Sequence, residues 1–292
     1  MNKKNLIQTA EYVKLAEVSY VDFSKIRDLN DKSLIKNGLM YEIKDGEKVP
    51  NLPQSYAEQF VKDWSVKAQW TDREEETSFS ATLFQKNETN GEYVLAFKGS
   101  LEPKDFWQAD GFDIVLDGFA LKQSIDLINF RQQLLGEDGK AYKVLTLQYD
   151  HELNYIDDLL GRGDVFEAIT EEEYHQYTEQ LNNALASGQY IKDGGDLYKM
   201  EWVNSDEYYG KDDDRVTGKG LSWDKITITG HSLGGNLAAI YSTWFANEVE
   251  NTVTVNGAGF HNSVLNGTNN NFRGCIRLAQ KIVKFHTIFA RF

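Results

Sequence analysis

The chain has 292 residues, of which 41% are hydrophobic, enough to build a sizeable core in one large domain or two small ones. This composition excludes a disordered chain. The formal net charge is −14, and the sequence pI is near 4.9. This excess of carboxylates argues against nucleic acid as a partner, because a phosphate backbone is bound through Lys and Arg. It also argues against electrostatic docking on an anionic lipid surface. Neither argument excludes a neutral ligand that is held by apolar contacts.

Cysteine content and terminal composition leave the cellular compartment open. Cys275 is the sole cysteine, so an intrachain disulfide is excluded. We expect inert packing at this position rather than a reactive thiol. The first ten residues begin basic but lack the apolar core of a Sec-type signal peptide, and no segment is apolar enough to span a membrane. The expected location is therefore the cytoplasm, or outside the cell by a non-Sec route.

The N-terminal third predicts helices followed by a hairpin. Within 9–20 the apolar residues Tyr12, Leu15, Ala16 and Tyr20 fall at helical spacing, which predicts a helix packed on the body of the domain, and a second helical stretch covers 56–64. Alternation over 78–83 predicts a half-exposed strand. A polar turn at 86–91 follows, with an Asn-Gly pair that can take positive φ. The unbroken apolar run 93–97 is typical of a strand buried on both faces.

The middle of the chain changes character. A helix is predicted over 119–135 and a strand over 142–149. Residues 150–222 are acidic and rich in glycine and aromatic residues, which indicates an insertion on the fold. The acidic clusters at 193–196 and 212–214 show no regular spacing of metal ligands. We expect a solvated acidic loop here rather than a cation site.

The last third predicts a strand at 225–229, a helix at 233–249 and a strand at 252–255. The predicted inner face of this helix comprises Leu233, Leu237, Ile240, Tyr241, Trp244 and Phe245. Strands alternating with helices predict an α/β layer structure with a largely parallel central sheet flanked by helices. We expect one domain over residues 1–292 that carries the insertion at about 150–222.

One pentapeptide carries the chemistry, Gly230-His231-Ser232-Leu233-Gly234, a G-x-S-x-G sequence. A β-branched strand leads in and an amphipathic helix leads out, the setting of a nucleophile elbow. Gly230 and Gly234 remove side chains that would collide in so sharp a turn, and Ser232 is the predicted nucleophile. The N–H of Leu233 is a predicted oxyanion donor at a helix N-terminus. The alternative interpretation is an ordinary glycine-rich turn.

A second oxyanion donor is predicted at the end of an earlier strand. The run Phe97-Lys98-Gly99-Ser100 offers its backbone and the hydroxyl of Ser100. An ordinary strand-ending turn is the alternative interpretation of this run.

These motifs resemble the class 3 lipases. In that family a strand ends in Phe-Arg-Gly-Thr/Ser, whose last hydroxyl helps to form the oxyanion hole, and this chain has Lys98 in place of the usual Arg. Trp107 and Asp110 are similar to residues that follow the family motif, and 101–107 lies where related lipases carry a lid. The run 255–260 looks still closer to the lipase domain of bacterial RTX-type exported proteins.

The resemblance covers about 78–118 and 222–262. It implies an α/β-hydrolase fold and hydrolysis of lipid carboxylic esters, in which Ser232 is acylated and water releases the acid. It implies a lipid or ester substrate and transient contact with a lipid surface. No cofactor and no metal are expected.

The orienting acid of the expected triad is missing. In this fold the chain order is Ser, then Asp or Glu, then His. After Ser232 the only acids are Glu248 and Glu250, at the end of the elbow helix, and 251–292 contains neither Asp nor Glu. We therefore expect a truncated or frame-shifted chain, with a fold incomplete at its C-terminus.

None of the five histidines is a clear general base. His261 and His286 follow the elbow, and a structural or solvated role is expected for both because no acid follows to orient them. His231 is expected to pack beside the nucleophile, while His151 and His175 fall in the insertion.

Three functions stay open at this point. The leading hypothesis is a serine ester hydrolase of the lipase or phospholipase type. The first rival is a non-catalytic protein of the same fold, a binding module or exported surface antigen. The second rival is another acyl hydrolase, such as a thioesterase or peptidase. Head group, acyl length and oligomeric state are left open.

Overall fold

The structure is a computed structural model that describes residues 3–44, 47–71, 77, 79–99, 120–211, 213–257, 259–260, 262–267, 269 and 271–277. They form two compact units. The first draws on residues within Met1–Phe112, Lys122–Phe130 and Leu221–Gly259, and the second on residues within Asp113–Leu121, Arg131–Gly220 and Phe260–Phe292. The single domain with its insertion stays a prediction.

In chain order the helices and strands are α1 (Lys3–Val18), α2 (Lys32–Met40), β1 (Tyr41–Lys44), β2 (Glu47–Pro50), α3 (Gln54–Asp63), β3 (Trp64–Thr71), β4 (Ser80–Lys86), β5 (Tyr93–Phe97), α4 (Leu121–Leu135), β6 (Lys143–Tyr149), α5 (His151–Leu160), α6 (Val165–Ala168), α7 (Glu171–Ser187), β7 (Tyr190–Asp193), β8 (Asp196–Asn204), α8 (Ser205–Tyr208), β9 (Ile226–His231), α9 (Leu233–Trp244), β10 (Val249–Val255) and α10 (Asn262–Leu265). A 3₁₀ turn at Phe23–Lys25 follows α1, and residues 271–277 are helical.

The sheet of the first unit has five strands in the order β10-β9-β5-β4-β3. The three strands β5, β9 and β10 run parallel, while β3, β4 and β5 pair antiparallel. The expectation of a largely parallel sheet is therefore wrong, and the sheet is mixed. The physical reason is the tight turn between β4 and β5, since parallel neighbours need a long crossover such as α9. Asn90 takes a φ of 56° in that turn, as predicted.

Strand β4 corrects a second expectation. The alternation in its sequence predicts one solvated face, yet Ser80 and Thr82 are buried with the apolar residues between them. Their hydroxyls are satisfied internally, because Ser80 Oγ pairs with Thr71 Oγ1 at 3.2 Å and Gln69 Nε2 donates to Thr82 Oγ1 at 2.9 Å. Strand β5 has buried residues on both faces, which confirms its prediction.

One hydrophobic cluster of the first unit lies between its sheet and the helices α1 to α3. Tyr12 and Leu15, predicted to share the inner face of α1, are buried there. Thr229 Oγ1 of β9 donates to the Tyr12 carbonyl at 3.2 Å, which joins this helix to the strand that precedes the elbow. Helix α9 is shorter than predicted. Its predicted inner-face residues Leu233, Leu237, Ile240, Tyr241, Trp244 and the following Phe245 are all buried.

The second unit contains an antiparallel sheet in the order β6-β8-β7. The acidic cluster at 193–196 forms the β7–β8 hairpin turn, where Gly194 and Gly195 take φ of 60° and 103°. Asp213 accepts hydrogen bonds from the Arg215 guanidinium, whereas Asp212 lies outside the described residues. Among the described residues no group of three His, Cys, Asp or Glu could hold a metal. Burial raises the pKa of Cys275 to about 12, which disfavours a reactive thiolate.

In the part of the chain that the structure describes, no helix has both the length and the apolar character needed to cross a bilayer.

Candidate functional site

The predicted elbow lies between β9 and α9. Strand β9 ends at His231, α9 begins at Leu233, and Ser232 occupies the junction with φ 55° and ψ −123°. Besides Ser232, the described non-glycine residues with positive φ are Asn90 and Asn256. Asparagine tolerates this region far better than serine, so Ser232 is the strained residue of the three.

The glycines beside Ser232 are required by close backbone packing. A Cβ on Gly230 would lie 2.1 Å from the Gly234 carbonyl oxygen, and a Cβ on Gly234 would lie 2.2 Å from the Phe97 carbonyl oxygen. Real Cβ atoms do not approach backbone so closely. The spacing of glycines around the serine is therefore a steric requirement of this turn, and the end of β5 lies directly against it.

Backbone hydrogen bonds hold the strained serine. Ser232 N donates to the Val255 carbonyl at 2.9 Å, and Gly235 N donates to the Ser232 carbonyl at 2.9 Å. Leu233 is the first residue of α9, so its N–H has no partner within the helix. Among the backbone hydrogen bonds of the described residues, none uses this N–H. Ser232 is half-buried, and the N–H of Leu233, which is predicted to be an oxyanion donor, directly follows it in the chain.

The end of β5 forms a wall beside the serine. A Cβ on Gly99 would lie 2.4 Å from the His231 carbonyl oxygen and 3.1 Å from Ser232 Cβ. The Gly99 N–H donates to Tyr20 Oη at 3.1 Å, so this amide is already engaged. The proposed donor Ser100 lies outside the described residues, as do Trp107, Asp110 and the segment compared with a lid.

Tyr20 is a site residue that the sequence analysis missed. Its Oη lies 3.1 Å from His231 Nδ1, and the two rings meet at a centroid distance of 6.2 Å. Burial raises the pKa of Tyr20 above its ordinary value, while the Gly99 N–H acts in the opposite direction. The helical spacing within 9–20 predicts only that Tyr20 packs on the body of the domain. It lies 211 positions from His231, and no local pattern connects residues so far apart in sequence.

The described histidines have other partners or lie in the second unit. His231 Nδ1 is paired with the Tyr20 hydroxyl. The ring of His151 packs on Tyr149 at 4.8 Å, and that of His175 packs on Tyr174 at 6.0 Å. His261 and His286 lie outside the described residues.

The two acids after the serine are not arranged to orient a base. Glu248 accepts a hydrogen bond from the Tyr241 hydroxyl, and Glu250 is exposed. Of the two acids that follow Ser232, Glu248 thus has a tyrosine as its partner and Glu250 lies at the surface.

Comparison with known proteins gives one match. No curated protein and no solved structure matches the chain. Residues 214–264, which contain β9, the elbow, α9 and β10, match the model of the family described as Lipase (class 3). This match supports the resemblance to class 3 lipases, and it implies an α/β-hydrolase fold and lipase-like ester hydrolysis at the family level.

Proposed function

We propose that the protein is a serine ester hydrolase of the lipase or phospholipase type, with Ser232 as the nucleophile. The observation that carries this proposal is the strained backbone of Ser232, at φ 55° between a strand and a helix N-terminus. Strain of this kind costs about 1–3 kcal/mol and persists where the surroundings enforce it, typically at functional sites. The class 3 lipase match over 214–264 supports the same chemistry.

The reaction follows the usual course of acyl transfer. Ser232 Oγ attacks the ester carbonyl carbon and gives up its proton to a base, and the carbonyl oxygen becomes an oxyanion beside the Leu233 N–H. The tetrahedral species collapses, and the alcohol leaves with a proton. Water then attacks the acyl-serine, which releases the acid and restores the hydroxyl.

A non-catalytic binding protein is the second candidate. Two hydrogen bonds favour it. His231 Nδ1 is paired with the Tyr20 hydroxyl, and Glu248 accepts from the Tyr241 hydroxyl. A protein with an elbow but no working base would bind an ester without turning it over.

Labelling with a fluorophosphonate probe separates the two candidates. We expect one adduct on the full chain, located at Ser232 by peptide mass spectrometry. The Ser232→Ala variant should lose this adduct. The matched variant Ser242→Ala should keep it, because Ser242 lies on α9 and its hydroxyl donates to the Ala238 carbonyl. Folded protein that forms no adduct contradicts the hydrolase proposal and leaves the binding protein.

Substrate profiling tests the finer proposal. We propose a preference for long acyl chains, because lipase-like specificity favours them over short ones. Rates with p-nitrophenyl esters of increasing acyl length, a phospholipid, a thioester and a peptide should rank the long-chain oxygen esters first. A higher rate on the thioester or peptide indicates a different acyl hydrolase on this fold.

A further inference from the structure

We propose that Tyr20 is a positioning residue for the nucleophile, acting through the hydroxyl that joins Gly99 to His231. This inference rests on the proposed function of Ser232. The Tyr20 hydroxyl is within hydrogen-bond distance of both groups, at 3.1 Å from each. Gly99 lies two residues after the end of β5 and His231 ends β9, so a single side chain connects the segments that leave these two strands at the elbow.

One hydrogen bond of this network has a fixed direction. The Gly99 N–H can only donate, so Tyr20 Oη accepts there. In the proposed arrangement the phenol donates its own proton to His231 Nδ1, rather than accepting one from a protonated Nδ1. An Nδ1 that accepts leaves the neutral imidazole protonated on Nε2. Tyr20 therefore selects one tautomer of the residue that directly precedes Ser232.

The same hydroxyl also holds the Gly99 peptide in position beside Ser232. Gly99 is packed so tightly that a Cβ would lie 2.7 Å from Tyr20 Oη and 3.1 Å from Ser232 Cβ. A rotation of the Gly99 peptide would change the space next to Ser232, and the bond to Tyr20 resists that rotation. Acyl transfer is sensitive to such positions, because misplacement by about 1 Å can cost 100-fold in rate.

The surroundings of Tyr20 keep its hydroxyl protonated and in place. The residue is half-buried, and burial raises the pKa of its phenol. The Lys98 ammonium lies 5.9 Å from the centre of the Tyr20 ring. The next residues in the chain are also held, since Gln69 Nε2 donates to the Val21 carbonyl at 2.8 Å and Gln69 Oε1 accepts from Phe23 N at 2.6 Å.

The variant Tyr20→Phe removes the hydroxyl and keeps the ring. We expect kcat and the rate of Ser232 labelling to fall about 10- to 100-fold, with KM little changed, because the lost contact orients the nucleophile and does not bind substrate. Tyr56→Phe is the matched control. Tyr56 is also half-buried in the first unit, and its hydroxyl donates to the Lys14 carbonyl at 3.4 Å, away from this network. Its rates should equal those of the wild type.

A spectroscopic measurement separates positioning from simple loss of stability. In the full chain with ¹⁵N-labelled histidine, the His231 signals are assigned with His231→Asn. Wild-type His231 should show an unprotonated Nδ1 and a protonated Nε2, and Tyr20→Phe should alter this pattern below the melting temperature of the variant. Tyr56→Phe should leave it unchanged.

The outcomes distinguish this inference from the proposed function. If wild-type protein labels at Ser232 but Tyr20→Phe labels equally fast, the positioning role is overturned while the hydrolase stands. An unchanged His231 tautomer in Tyr20→Phe overturns it as well. If folded wild-type protein does not label at all, the hydrolase and the positioning role fail together.

Discussion

At the scale of single residues, the site depends on a serine in a conformation that suits glycine. Ser232 has φ 55°, where a Cβ is crowded by its own backbone. The flanking contacts enforce this conformation, since Gly230 and Gly234 leave no room for the backbone to relax. Stability and chemistry are therefore opposed at this position. The proposed reaction needs the hydroxyl, while the Cβ of the serine costs folding free energy.

The strain at Ser232 predicts that Ser232→Gly is more stable than Ser232→Ala, the reverse of the usual order of these two residues. At an ordinary position Ala is more stable than Gly by about 0.4–1 kcal/mol, because Gly has more freedom in the unfolded chain. At Ser232 the order should reverse, with the unfolding free energy of Ser232→Gly about 1 kcal/mol above that of Ser232→Ala. Urea titration of both variants measures the difference. The same pair at Ser242, inside α9, should show the ordinary order, and an ordinary order at both positions contradicts the strain.

The elbow could be predicted from sequence, because all its determinants are local. The glycines, the serine, the strand before it and the helix after it lie within one short stretch. Tyr20 could not be predicted, because its contact with His231 exists only once α1 has packed on the sheet. The chain order of the fold predicts the orienting acid after the serine, and Glu248, one of the two acids there, instead accepts a hydrogen bond from Tyr241.

At the scale of elements, the mixed sheet depends on polar contacts that alternation in sequence does not reveal. Buried Thr82 in β4 is tolerated because Gln69 of β3 donates to its hydroxyl at 2.9 Å. The same amide bonds the segment that follows α1, at the Val21 carbonyl and the Phe23 and Ser24 amides. A hydrophobic-polar pattern predicts solvent exposure for Ser80 and Thr82, since it carries no information about partners on a neighbouring strand.

Removing the side-chain amide of Gln69 should lower the free energy of unfolding more than removing the side-chain amide of Gln85. In Gln69→Met, the Phe23 N–H and the Val21 carbonyl lose their partner, so we expect a loss of about 1–3 kcal/mol in unfolding free energy. Gln85 of β4 is the control, because its amide makes a single 3.5 Å contact with the Gly91 carbonyl. Gln85→Met should change stability by less than about 0.5 kcal/mol. Equal losses in urea denaturation of the two variants would show that the Gln69 bonds do not hold the segment.

At the scale of the whole molecule, the strand pairs of the second unit connect distant parts of the chain. Strand β6 pairs with β8 across residues 150–195, a stretch that contains three helices and a third strand. Composition alone indicated an acidic insertion there, and it could not indicate which strands pair. The excess of acidic residues is a property of the whole chain, and it influences which charged surfaces the protein can bind.

The net charge of −14 predicts how the protein meets lipid. Its binding to phosphatidylcholine vesicles should depend little on salt, because apolar contact dominates there. Addition of phosphatidylglycerol should weaken binding at low ionic strength, because like charges repel over a Debye length of about 30 Å at 0.01 M. At 0.15 M, where that length is about 8 Å, the two vesicle types should bind alike. Co-sedimentation with the Ser232→Ala variant, which leaves the lipid intact, measures binding to the two vesicle types at each ionic strength. Tighter binding to the anionic vesicles at low salt would contradict this expectation, since it requires a basic surface that overrides the net charge.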